Sequence, residues 1–387
     1  MSPTHFPTFS ANRWETAGDA IPHDNSSGQV AVALSFDGRT MVTLQGDKLR
    51  RYQWQDLAWR ERGSVVRTTT WNDQTTVPSL AVSINGDVVT WGNADTRNIH
   101  ALYWDLGAWR KRPVISLLSL NGDVSSRGED LTLTVSASGN VLAVGEPLSQ
   151  ESSSGRVHLF RWSGIDQQWT RIRTWTGRRG SLFGSSVSLS LDGKTLAIAA
   201  AENDFATITP GMVRVYRLEE GTDITEEVWA QIGQTLVGTR DEDRFGAAVA
   251  LSGSAQHLAI GAPANDDRSG LKNNSGKSNA GQVRVFQWDE NVGLWVAYGQ
   301  SLKGTRVDQN IGEVVSLSND GQILATAGLQ GGLMIYRLNS VGQWILRGLS
   351  TVSAPKTVSS AALSGSGKVV AVSDSRTDTV HAFQSVP

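Results

Sequence analysis

FGSSVSLSLDGKTLAIAAA, residues 183–201, is answered by FGAAVALSGSAQHLAIGAP at residues 245–263. Both begin on Phe-Gly, run through alternating apolar residues to a serine-led turn, and end in a second apolar run. Period-two alternation is the pattern of a strand with one buried face. A stretch that returns at this spacing marks a unit that cannot bury its own apolar face and stacks on copies of itself.

Working outward on the Leu-Ser or Val-Ser pair, the pattern recurs from Val32, Leu80, Leu133, Val187, Val249, Val315 and Ala361, seven copies with marker serines at 35, 83, 136, 190, 252, 318 and 364. The turn reads Ser-x-Asp/Asn/Ser-Gly in all but the fifth copy, which has Ser252-Gly253-Ser254-Ala255. Asp-Gly or Asn-Gly between two apolar runs predicts a tight hairpin with both central residues at positive φ. A third strand follows each copy, as in VHLFRW ending at Trp162 and VRVFQW ending at Trp288. A fourth starts at a second tryptophan and runs W-x-x-x-G at Trp59, Trp229, Trp295 and Trp344, while Trp109 and Trp169 lack the glycine. Four antiparallel strands make one blade.

The seventh copy reaches Pro387 without a fourth strand, and Trp14 to Ile21 matches Trp229 to Leu236 in pattern. The expectation is an all-β chain forming a seven-bladed β-propeller of four-stranded antiparallel blades, with residues 10–22 completing the last blade. One domain spans 1–387, with blades near 28–70, 77–120, 129–180, 182–240, 244–306, 310–352 and 357–387 plus 10–22. Most tryptophans are expected between blades, where a large aromatic buries roughly 150 to 250 Å².

Phe183-Gly184 and Phe245-Gly246 at the head of a strand, with Gly261-Ala262-Pro263 ending the next, resemble the FG-GAP repeat of integrin-α-type propellers, and Ser-x-Asp-Gly-x-x-Leu-Ala resembles a WD40 or YVTN-type blade. The resemblance implies a seven-bladed ring that binds partners. It also implies a calcium loop between the first two strands. Here that turn offers one carboxylate, as at Asp192 or Asp320, against about 6 to 8 oxygens for calcium. No cofactor is expected. Asn265, Asp266 and Asp267 are the weak remaining metal candidates, with a solvated polar loop as the competing reading.

Thirty-five basic against 37 acidic residues give no footprint for nucleic acid. The absence of cysteine excludes disulfides, thiolate zinc and a cysteine nucleophile. No apolar stretch approaches the ~20 residues needed for membrane insertion. The N-terminus does not read as a secretory signal. The expectation is a soluble monomer whose compartment the sequence leaves open, an extracellular protein or the soluble part of a larger surface protein being among the options. Asn25 and Asn273 are glycosylation sequons that matter only in a secreted chain.

His100, His158 and His381 share one register of the third strand and read as scaffold positions. The innermost strands carry no Asp or Glu in their cores, where a glycosidase needs a pair; Glu129, Asp130 and Glu313 at strand entry read as rim polarity. The marker serines are expected to hydrogen-bond their turns. Candidate binding residues lie on the face of the long connections. Arg179, Arg240 and Arg306 recur in register in GRRGSLFG, GTRDEDRFG and GTRVDQNIG, beside Asp241, Asp243, Asp266, Asp267 and Asp308. Trp71, in RTTTWNDQTT, is a further contact candidate. The competing reading has these arginines pairing locally with neighbouring aspartates. The residues favour a non-enzymatic interaction module that binds a protein or carbohydrate-bearing surface. Alternatives are a polysaccharide hydrolase or lyase using the same face, and a structural repeat block of a larger adhesion protein.

Overall fold

The computed structural model describes residues 13–22, 29–68, 79–93, 96–118, 131–148, 154–201, 210–219, 227–240, 242–266, 279–328, 330–349, 357–374 and 376–386. They form seven antiparallel sheets, six built from consecutive strands and one joining both ends of the chain, and in four of them the outermost strand is broken in two. The fourth sheet is typical: Phe183–Leu189, Thr195–Ala200, Met212–Leu218 and Trp229–Val237 pair in that order. The protein is a seven-bladed β-propeller. Its last sheet takes Arg13–Thr16 as the outer strand beside Thr379–Val386, with Trp14 opposite Ser385 and Ile21 opposite Val380. The N-terminal segment therefore closes the ring in the register that its match to Trp229–Leu236 predicts. No described helix is long and apolar enough to cross a membrane.

Seven apolar clusters make up the core, each drawn mainly from two successive blades. The fully buried second strand of one blade packs on its neighbour's inner strand, as Ala197 and Ala199 do with Val249 and Leu251. Ile21 and Val380 of the last blade join Val30, Val32 and Met41 of the first in the cluster across the closure. The W-x-x-x-G spacing has a steric reason at the same interfaces. A Cβ on Gly233 would meet the Trp295 and Trp288 rings at 2.8 and 2.9 Å, so the glycine of one blade seats the tryptophans of the next. A Cβ on Gly18, after Trp14, would meet the Trp54 ring at 3.0 Å. Trp91 and Trp175, outside the pair register, are buried as well; Trp71 lies outside the described residues.

The serine-led turn differs from the expected geometry. Asp37 is not left-handed, and only Gly38 has positive φ, at 71°; the Gly38 N–H donates to the Ser35 carbonyl. This is a turn closed by a left-handed residue rather than one with two such residues, which leaves Asp37 free to accept from Ser35 Oγ and the Arg39 N–H. The marker serine fixes this form. In every blade its Oγ accepts from the N–H five residues on, at 2.8–3.1 Å. Ala255 takes the left-handed place in the fifth copy, at φ 57°.

The residues after the marker serines form a ring of hydrogen bonds. Phe36 N–H donates to Ile84, Ile84 to Ala137, Ala137 to Leu191, Leu191 to Gly253, Gly253 to Asn319 and Asn319 to Gly365, and Ser366 N–H closes it on the Phe36 carbonyl, all at 2.7–3.1 Å. Higher in the channel the inner-strand edges are satisfied by hydroxyls of the preceding blade: Ser186 and Ser188 accept from Val249 and Leu251, Ser316 from Leu363, and Ser360 from Val32. An inner edge faces no further strand, and its N–H groups would otherwise lack partners. These serines are thus committed to the scaffold.

Candidate functional site

The second-to-third and fourth-to-first connections share one face of the ring. At three successive blade junctions they meet in one way. Gly177 N–H donates to the Gly155 carbonyl, Gly238 to Gly211 and Gly304 to Gly281, at 2.9–3.1 Å. Phe183, Phe245 and Ile311 then plunge into the core, each preceded by a left-handed residue: Leu182, Arg244 and Asn310, at φ 48°, 54° and 52°. Two positions before each plug stands a buried polar residue that ties the connection. Ser181 donates to the Ser154 carbonyl, Asp243 accepts from Asn265 at 2.7 Å and Thr239 at 3.4 Å, and Gln309 Oε1 accepts from the Thr305 and Arg306 N–H groups.

Arg179, Arg240 and Arg306 each sit two residues past the junction glycine, exposed to solvent. Among the described residues no ion pair joins these arginines to the neighbouring aspartates. Arg240 Nη1 reaches the backbone carbonyl of Asp266 at 3.3 Å, and the side chains of Arg179 and Arg306 have no hydrogen bond or ion pair among the described residues. The carboxylates are placed differently from one another. Asp243 is buried as a loop staple; burial, with the Asp266 charge adding to it, raises its pKa against the lowering bonds from Asn265 and Thr239 and the Arg240 charge. Asp266 Oδ1 accepts from the Asn279 N–H at 3.0 Å, and Asp308 Oδ1 from Asn279 Nδ2 at 3.1 Å. Asn279, which the sequence reading missed, thereby bridges the fifth blade's loop to the next connection. Asn310 Nδ2 donates to the Pro263 carbonyl at 3.3 Å, and Glu313, read as rim polarity, pairs with Arg244 at 3.4 Å. The shared register of Leu182, Arg244 and Asn310 before each plug was the available signal for these contacts.

Asp241, Asp267, Glu129 and Asp130 lie outside the described residues. Among the described residues no group of three or more His, Asp or Glu is placed to hold a metal ion, and Asn265 spends its amide on Asp243.

The histidines of the third strand separate by environment. His100 stacks on Trp91 with ring centroids 5.1 Å apart, and His381 Nε2 meets Thr379 Oγ1 at 2.9 Å. His158 is fully buried between the second and third blades, with Nε2 on Glu146 and Nδ1 on Thr174 Oγ1, both at 2.9 Å. Arg97 grips the other Glu146 oxygen through Nη2 and Nε. Burial pushes the Glu146 carboxyl up, but the bonds from His158 and Arg97 and their charges outweigh it and hold the group below its ordinary range. Glu146 stands where the fifth blade has the alanine of Gly-Ala-Pro, so one substitution in the repeat builds a buried ion-pair network.

No family model matches the chain, and no curated protein matches it. Among solved structures, one chain of "Kuenenia stuttgartiensis Hydrazine Synthase" superposes with a TM-score of 0.59 at 15% identity, covering 93% of this chain and 96% of that one. At that identity the likeness shows the shared propeller fold alone.

Proposed function

We propose that the protein is a non-enzymatic interaction module that holds a protein or glycan partner on its long-loop face across the third to sixth blades. The observation that carries this reading is the pair of guanidinium groups at Arg179 and Arg306 with no partner among the described residues, presented with Arg240 on the same backbone anchor at successive junctions. A guanidinium offers five donors in a fixed fork suited to carboxylate, sulfate or phosphate. The junctions beneath are stapled internally, so the arginines can be engaged without remodelling the ring. Asp266 and Asp308 add acceptors between them, which favours a partner of mixed polarity over a pure polyanion.

The test is a glycan array of neutral and acidic oligosaccharides, joined to affinity capture, with wild type and the variant Arg179→Ala/Arg240→Ala/Arg306→Ala. Hydrogen bonds to a charged group contribute about 1.5–3 kcal/mol each, so the triple variant should bind the same target at least a hundredfold more weakly with an unchanged melting curve. Equal binding by the two proteins would remove this face from consideration.

A further inference from the structure

The face opposite the arginines carries a feature that folding does not explain. The hairpins joining third and fourth strands end there, and five of them present an aliphatic residue at the tip: Leu57, Leu106, Ile165, Val292 and Val341. Their exposure runs from 59% at Val292 to 95% at Ile165. In the first two blades the hairpins are two-residue loops, Asp56-Leu57 between the paired Gln55 and Ala58, and Leu106-Gly107 between Asp105 and Ala108. All four loop residues are left-handed, with Leu57 at φ 59° and Leu106 at φ 47°. Such loops favour Asn, Asp or Gly, and a bulky side chain is disfavoured in that region. Core burial and backbone conformation both argue against leucine at these positions, so neither accounts for its presence.

We propose that these tips form a crown of anchors that seats the ring face-down on a neutral lipid surface, without any segment crossing it. The hairpins all end on one face, because in every blade the third strand finishes its pairing beside the serine-led turn, as in Trp54 N–H to Arg39 O and Trp288 N–H to Gln256 O. The anchors stand singly, one in each of five blades, among polar neighbours. A protein partner recognises a contiguous desolvated cluster, whereas an acyl boundary accepts separate side chains whose contributions add with buried apolar area. In the first two blades the charges beside the anchors are paired within their own hairpins, Arg60–Asp56 at 3.9 Å and Arg110–Asp105 at 2.7 Å. Among the described residues, Asp166 beside Ile165 and Asp289 beside Val292 accept only from Ser163 Oγ and the Asn291 N–H and keep their negative charge. That pattern fits a zwitterionic headgroup layer better than an anionic one. Toward the axis, Phe36 and Ile84 add partly exposed apolar surface on the same face.

The experiment is co-sedimentation of the full chain with phosphatidylcholine vesicles, comparing wild type with the fivefold variant Leu57→Asn, Leu106→Asn, Ile165→Asn, Val292→Asn and Val341→Asn. Asparagine suits the left-handed positions, so the variant should melt no lower than wild type. Wild type is expected to pellet with the vesicles at low and high salt alike, and the variant to lose at least tenfold of that binding. Three results would overturn the proposal: wild type staying in the supernatant, the variant pelleting equally, or light scattering showing wild type assembling without lipid while the variant is monomeric, which would assign the crown to a second copy.

Discussion

Glu146 shows how far a single residue can depart from its repeat. With 3% of its surface exposed it is a buried charge, met by Arg97 from the neighbouring loop and His158 from the next strand. Removing one partner of a buried pair costs about 3–5 kcal/mol, because the other charge stays behind. Glu146→Gln should therefore destabilise the fold by that amount in urea or thermal melts, because it removes the charge that Arg97 and His158 both grip. The pH dependence follows from the direction of the shift. A carboxyl held low in the folded state contributes stability that is fully present above its unfolded pKa and is lost as pH falls through the folded value. Wild type should thus weaken on acidification below about pH 4.5, and the variant should show a shallower decline over the same window. His257 acts differently: it is buried with neither ring nitrogen bonded, and burial lowers its pKa against the raising charge of Asp320.

At the scale of the element, blades are joined by side-chain shape more than by strand pairing. The second strand of each blade is almost wholly buried and the outer strand is largely exposed. Gly233 is where the two meet, at φ 67°, and a Cβ there would come within 3 Å of two tryptophan carbons of the next blade. Gly233→Ala adds a methyl where there is no space and on a backbone that alanine disfavours. It should cost about 1–3 kcal/mol in chemical denaturation. Glycine in the W-x-x-x-G signature could be read from the sequence, but the reason for it could not. Its partner lies 55 to 62 residues away on another sheet, and only stacking reveals the clash. The hydroxyls of Ser186, Ser188, Ser316 and Ser360 were hidden in the same way. As letters they look like the polar half of an alternating strand; in the ring they satisfy the exposed edge of the next blade.

For the whole molecule, closure is the decisive event. The segment around Trp14 and Ile21 completes the last sheet and contributes to two clusters, one against the sixth blade and one against the first. Removing residues 1–22 strips Ala17 and Ile21 and part of Trp14 from the core, about 3–5 kcal/mol by area, and leaves Thr379–Val386 as an unpaired edge open to association. The truncated chain should melt at lower temperature and aggregate, and a synthetic peptide of residues 10–22 should restore much of the loss; calorimetry and light scattering measure both.

The seven-fold repetition, the strand order and the closure were already determined by the sequence, because they rest on local signals: period-two alternation, turn chemistry, and a terminal segment that copies an internal one. Which residues are committed and which remain available was decided only by tertiary structure. Asp243 and Arg306 look alike as charges five and two residues past a junction glycine, yet one is buried as a staple and the other is exposed with no partner among the described residues. The difference arises because a side chain's partners in a ring come from the adjacent blade, dozens of residues away, where no local spacing in the sequence records them.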